Sequence, residues 1–139
     1  MPIERGKVRE YARATGAARP AYLEDPEAPI PPTFLATVTF WTTVGRTLGG
    51  PEVRQACAEI GIEPDVRSLL SLEQEYVIHG RVPRAGEELR VEERLHGIET
   101  KHGRRGPMVL VRFVLEFSDD HGLRAECHYT SAFVRKDAA

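Results

Sequence analysis

The pattern of apolar and polar positions changes character near the middle of the chain. Up to about residue 65, apolar residues recur at helical spacing or in mixed runs; beyond it they recur at every second position. Residues 5–15 carry the first pattern. Val8, Tyr11, Ala12 and Thr15 mark one face of a short helix, and Arg5, Lys7, Arg9, Glu10 and Arg13 mark the other. Gly16 stands where a left-handed glycine ends such a helix. Residues 17–32 then hold five prolines, which exclude both a helix interior and a central strand, so an ordered loop is predicted.

From Thr33 to about Leu48 the residues are apolar or small almost all round, and only Arg46 is charged. A helix of that character is a buried one. Pro32 suits its first turn, and Gly49-Gly50-Pro51 ends it. Its many β-branched residues also allow a strand. Glu52 to Glu59 reads as a short polar helix stopped by Gly61.

The second half reads as strands. Leu72, Gln74, Tyr76 and Ile78 alternate with Glu73, Glu75, Val77 and His79, and Pro83-Arg84-Ala85-Gly86 is a turn. Leu89, Val91, Glu93 and Leu95 share a face, and the charge of Glu93 there calls for a buried partner such as an arginine. Val109, Val111, Phe113, Leu115 and Phe117 form one side of the next strand. Asp119-Asp120-His121-Gly122 is a hairpin turn, and Ala125, Cys127, Tyr129, Ser131 and Phe133 share a face of the last strand. His102-Gly103-Arg104-Arg105-Gly106 is a looser hairpin connection.

One long buried helix followed by a meander of about four strands predicts an α+β hot-dog fold, with a curved antiparallel sheet wrapped around residues 33–48. Two helices stacked flat on a sheet are the alternative. Residues 1–139 read as one such domain, long enough to bury a core without metals or disulfides. A net charge of -2 speaks against a nucleic-acid partner. Cys57 and Cys127 read as buried free thiols, which suits a reducing, cytoplasmic compartment. No apolar run is long enough for a membrane span, and Met1-Pro2-Ile3-Glu4-Arg5 lacks the apolar core of a signal peptide.

The order of several short motifs carries a family resemblance. The run from Lys7 to Gly16, then Pro20-Ala21-Tyr22 and Pro31-Pro32-Thr33-Phe34, resembles the N-terminal half of the MaoC-like dehydratases. Glu73-Gln74-Glu75-Tyr76, His79, Pro83, Ala85-Gly86-Glu87 and the hairpin Gly106-Pro107…Asp119…Gly122 resemble the same family. The resemblance covers residues 3–135 and is strongest to the FAS1-like dehydratase domains. These include non-catalytic subunits of (3R)-hydroxyacyl-carrier-protein dehydratases of mycolic-acid synthesis.

Catalytic members of the family carry Asp-x-Asn-Pro-x-His after the first helix. Syn elimination of water from a β-hydroxy thioester needs a base for the α-proton, an acid for the leaving hydroxyl and donors for the enolate oxygen. The matching stretch here keeps Pro20 but has Ala17 at the Asp position, Arg19 at the Asn position and Tyr22 at the His position. Alanine transfers no proton, and a phenol, with an ordinary pKa of about 10, is a poor base at neutral pH. Where catalytic members have His-Gly at the start of the buried helix, this chain has Pro32-Thr33. Pro32 has no N–H to give, and the Thr33 amide leaves at most a vestigial oxyanion site.

The remaining candidates are weaker. His79 is a structural or subunit-contact residue on the plainer reading and a site residue on the sharper one. His128, opposite Cys127 and Tyr129, suits a surface or interface, and His102 and His121 lie in predicted turns. Tyr22, Phe34, Trp41 and Tyr76 are candidates to line an acyl channel with Pro32 and Thr33; core packing is the plainer reading for Trp41. No histidine or cysteine spacing suggests a metal, and the resemblance implies no cofactor.

The resemblance thus implies a hydro-lyase subunit without its own Asp/His pair. It would shape the pocket for a (3R)-3-hydroxyacyl or enoyl thioester on carrier protein or coenzyme A. Exposed sheet edges imply a dimer, either with a catalytic MaoC-like chain or with a second copy. The alternatives are a self-sufficient homodimeric dehydratase or cyclase using Tyr22 or His79, and a module that binds an acyl thioester without turning it over.

Overall fold

Helix α1 (Arg5–Ala14) buries Val8 and Ala12, the face selected by their spacing. Its end is a Schellman motif: the Gly16 N–H donates to the Arg13 carbonyl at 3.2 Å and the Ala17 N–H to the Ala12 carbonyl at 2.8 Å. This geometry requires φ of 73° at Gly16, which glycine adopts without cost. One turn of helix, α2 (Pro20–Leu23), begins on a proline, and the rest of the proline-rich stretch is irregular. The protein is described by a computed structural model covering residues 1–104 and 106–135.

The segment predicted as one long buried helix is not one. A 3-10 helix covers Phe34–Phe40 and a second covers Arg46–Gly49, with irregular chain between them. Phe34, Leu35 and Val38 are buried, but Phe40 is 82% and Trp41 45% exposed, so core packing of Trp41 is overturned. Two features explain the break. The run Thr37-Val38-Thr39 and the trio Thr42-Thr43-Val44 are β-branched and gain little from helix. Gly45 then takes φ of 81°, a left-handed turn where an added Cβ would lie 2.9 Å from Leu48 Cδ1. The full helix of this region is α3 (Pro51–Glu59), started by proline and ended before Gly61 at φ 68°.

Four strands follow: β1 (Leu69–Ile78), β2 (Arg90–Gly103), β3 (Gly106–Asp119) and β4 (Gly122–Val134). They form one antiparallel sheet in the order β1-β4-β3-β2. The meander is therefore β2-β3-β4, and β1 pairs with β4 instead of β2. His102 belongs to the end of β2, not to a turn, and Arg105 of the following connection lies outside the described residues. The two predicted faces, Val109 to Phe117 and Ala125 to Phe133, are buried at every alternate position. Phe113 and Tyr129 stack at 4.8 Å on that face. The intervening positions are mixed: Leu110, Val114 and Ala132 are buried apolar residues, whereas Thr130 donates to Glu73 at 3.2 Å, Arg112 to Glu99 at 3.0 Å, and the rings of His96 and His128 meet edge-on at 6.4 Å.

The chain forms two compact units. One comprises Met1–Val44, Tyr76–Glu92 and Glu116–Cys127; the other comprises Gly45–Glu75, Glu93–Leu115 and His128–Ala139. All four strands contribute residues to both. In the second unit Val53 and Cys57 of α3 pack with Ile62, Val109, Val111 and Phe133. Burial of each large apolar side chain contributes about 2 kcal/mol. Within this unit α3 is the helix laid on the strands. Glu93 also belongs here. Its carboxylate accepts the N–H groups of Gly45 (2.7 Å) and Thr47 (2.8 Å) and the Thr47 hydroxyl (2.8 Å), so its partner is a chain turn and not an arginine.

Candidate functional site

Ala17 is held by the Schellman motif at the end of α1, and two residues later the chain enters α2, which carries the half-buried Tyr22. In the same unit, the Ile30 N–H donates to the Pro83 carbonyl at 3.0 Å and the Ala85 N–H to the Ala28 carbonyl at 2.9 Å. These bonds fix the proline-rich segment against the turn after β1. A groove of about 480 Å³ results. Its walls are Tyr22 of α2, Pro29 to Thr33 of the loop, Tyr76 and Ile78 of β1, and Val82.

Four of the sequence candidates, Tyr22, Pro32, Thr33 and Tyr76, therefore meet at one place. Pro29, Ile30, Pro31, Ile78 and Val82 complete it and were not anticipated. Ile78 was legible, because it stands two residues beyond Tyr76 on a strand and so shares its face. The lining is apolar apart from two phenols and one threonine hydroxyl. No carboxylate, imidazole, thiol or amine lines the groove among the described residues.

Phe34 and Trp41 go elsewhere. With Pro2, Tyr11, Thr37 and Phe40 they line a second cavity of about 520 Å³, at whose rim Lys7 and Glu10 pair at 3.0 Å. The Tyr11 ring meets Phe34 edge-on at 5.5 Å, and its hydroxyl reaches Thr33. Tyr11 therefore touches a wall residue of the groove from the other cavity; its place on the apolar face of α1 was the one sequence signal for it.

His79 does not line the groove. Its Nε2 lies 2.7 Å from the carboxylate of Glu126, which projects from β4 between the buried Ala125 and Cys127. The imidazole is thus engaged on the polar side of the sheet. Thr33 precedes a seven-residue 3-10 helix and not a long α-helix, and the Phe34 N–H is spent on the Pro31 carbonyl at 2.9 Å. With Pro32 lacking an N–H, the start of this segment is poorly equipped to hold an oxyanion.

A charged cluster lies at the β3–β4 hairpin. Arg124 pairs with Asp119 and with Glu87 (3.2 Å), and Arg81 pairs with Glu87. The His121 N–H donates to Asp119 at 2.7 Å, and this bond, followed by the Arg124 guanidinium, holds the Asp119 carboxyl below its ordinary range. The charges compensate one another, so the cluster fixes the turn. Cys57 and Cys127 are both buried and neither is in a disulfide, and burial pushes the Cys57 thiol up. Among the described residues, no group of three or more histidine, cysteine or carboxylate side chains is arranged to hold a metal, and no helix is long and apolar enough to cross a membrane.

Comparison with solved structures identifies the fold. The chain is similar to a structure of the ChsH1-ChsH2 complex from Mycobacterium tuberculosis, with 16% identity and a TM-score of 0.71 over 97% of this chain and 84% of that one. It is similar to the C-terminally truncated HadBC (3R-hydroxyacyl-ACP dehydratase) complex of the same organism, with 20% identity and a TM-score of 0.64 over 95% and 88%. A MaoC-like dehydratase matches with 24% identity and a TM-score of 0.71 over 96% of this chain, which spans 39% of that longer chain. These likenesses establish the hot-dog class. Curated proteins give no match. The family model described as FAS1-like, dehydratase domain region matches residues 1–125, and the chain belongs to that family.

Proposed function

We propose that this chain is the pocket-shaping subunit of a (3R)-3-hydroxyacyl-thioester dehydratase, or enoyl hydratase, whose Asp/His pair comes from a second MaoC-like chain. The observation that carries this reading is the groove itself: its apolar walls suit an acyl chain, and no side chain in it is suited to shuttle a proton at neutral pH. The ChsH1-ChsH2 and HadBC structures are both complexes of two named components, which supports a two-chain assembly for this relative. Edge strand β1 favours the same view, because Leu70 and Leu72 are 49% and 52% exposed on it. We take residues 1–139 as one hot-dog domain that binds its thioester, on carrier protein or coenzyme A, through Tyr22, Pro32, Thr33 and Tyr76.

The test is co-expression with a MaoC-like chain bearing Asp-x-Asn-Pro-x-His. The reading requires a stable complex that hydrates trans-2-enoyl-CoA faster than either chain alone. An equally active catalytic chain without this one would refute a pocket-shaping role. Acyl-CoA binding with no turnover in any combination would favour the binding-module alternative.

A further inference from the structure

We propose that Tyr11 is a positioning residue that sets the specificity of the groove, a proposal that rests on the groove being the thioester site. The Tyr11 hydroxyl lies 2.9 Å from the Thr33 carbonyl oxygen and 2.8 Å from Thr33 Oγ1. A carbonyl oxygen only accepts, so the phenol proton occupies the first contact. Without it, two lone pairs would face each other at that distance. The phenol oxygen then has only lone pairs for the second contact, and the Thr33 hydroxyl must donate its single proton there.

The consequence falls on the groove wall. Thr33 is exposed and lines the groove, yet its hydroxyl proton is committed to Tyr11. What remains on Oγ1 is capacity to accept. A ligand group that donates is recognised beside Thr33, and a group that only accepts meets lone pairs. The 3-hydroxyl of a hydroxyacyl chain donates; the 3-oxo group of an oxoacyl chain does not. The edge-on contact of the Tyr11 ring with Phe34 holds the phenol in place. Tyr11 thereby makes the groove discriminate between the two oxidation states of C3.

The experiment is calorimetric titration of the full chain with (3R)-3-hydroxyoctanoyl-CoA and with 3-oxooctanoyl-CoA. The wild-type chain is expected to bind the hydroxy ligand about fivefold tighter, the size of one net hydrogen bond. In Tyr11→Phe the Thr33 proton is released, so 3-oxooctanoyl-CoA should bind more tightly than to wild type and the ratio should fall to about one. General damage to the fold cannot raise an affinity. Thr33→Val should lose the ratio by weakening the hydroxy ligand, and Thr33→Ser should keep it. Equal wild-type affinities, or a ratio that survives Tyr11→Phe, would overturn the proposal while leaving the groove as the site. If neither ligand binds the wild-type chain, the groove reading falls and this proposal falls with it. Should Tyr11→Phe fail to fold, the Thr33→Val and Thr33→Ser pair decides.

Discussion

The carboxylate of Glu93 accepts the backbone N–H of Gly45 at 2.7 Å, a bond between residues 48 apart that holds the left-handed turn at Gly45. A second bond to the Thr47 amide makes Glu93 the cap of the short helix that follows. Replacing it leaves two amides and a hydroxyl without their acceptor. Glu93→Ala should cost about 2 kcal/mol, and Glu93→Gln less, because the amide oxygen still accepts. The midpoint of urea unfolding measures both, and an unchanged midpoint for Glu93→Ala would remove this turn from the account.

The same residue shows what a sequence reading misses. Thr33 to Leu48 is apolar or small almost all round and so suggests a buried helix, but its β-branched runs and Gly45 favour short turns that long-range bonds then fix. Nothing near Glu93 in the sequence names Gly45 as its partner. By contrast, Val109 to Phe117 and Ala125 to Phe133 were legible, because strict alternation over a whole strand has one physical explanation. The site was half legible. Tyr22, Pro32, Thr33 and Tyr76 converge, but Phe34, although next to Thr33, faces a different cavity with Trp41. Consecutive residues of a helical turn point in different directions, and no spacing rule reveals which cavity each will meet.

The core of the second unit offers a plain test of packing. Phe133 is 3% exposed and packs with Val53 and Cys57 of α3. Phe133→Ala should destabilise the protein by about 4 kcal/mol, through lost transfer energy and the cavity left behind. A loss below about 1 kcal/mol in chemical denaturation would show that α3 is not seated there.

Asp119 links stability to pH. Its carboxyl is held below the ordinary range, chiefly by the His121 N–H and then by Arg124. A depressed folded-state value means that Asp119 contributes stability fully above the ordinary carboxylate range. That contribution is lost as pH falls through the depressed value. Asp119→Asn should therefore lower stability at neutral pH and flatten the acid limb of a stability–pH curve. An unaltered acid limb would contradict the assignment.

The two cavities make different demands on an acyl ligand. Ile78→Trp should fill part of the groove and weaken octanoyl-CoA binding about tenfold, the loss expected when about two methylenes are no longer buried. Trp41→Leu, in the other cavity, should leave that affinity within about twofold. The reverse ranking in calorimetry would move the acyl site to the second cavity.

The most direct measurement is hydration of crotonyl-CoA by the purified chain with no partner present. With Ala17 and Tyr22 at the positions that the family resemblance assigns to the acid–base pair, and His79 turned to Glu126, the expected rate is that of buffer alone. Sustained turnover by the lone chain, abolished in Tyr22→Phe, would contradict the claim that its proton-transfer groups reside in another subunit.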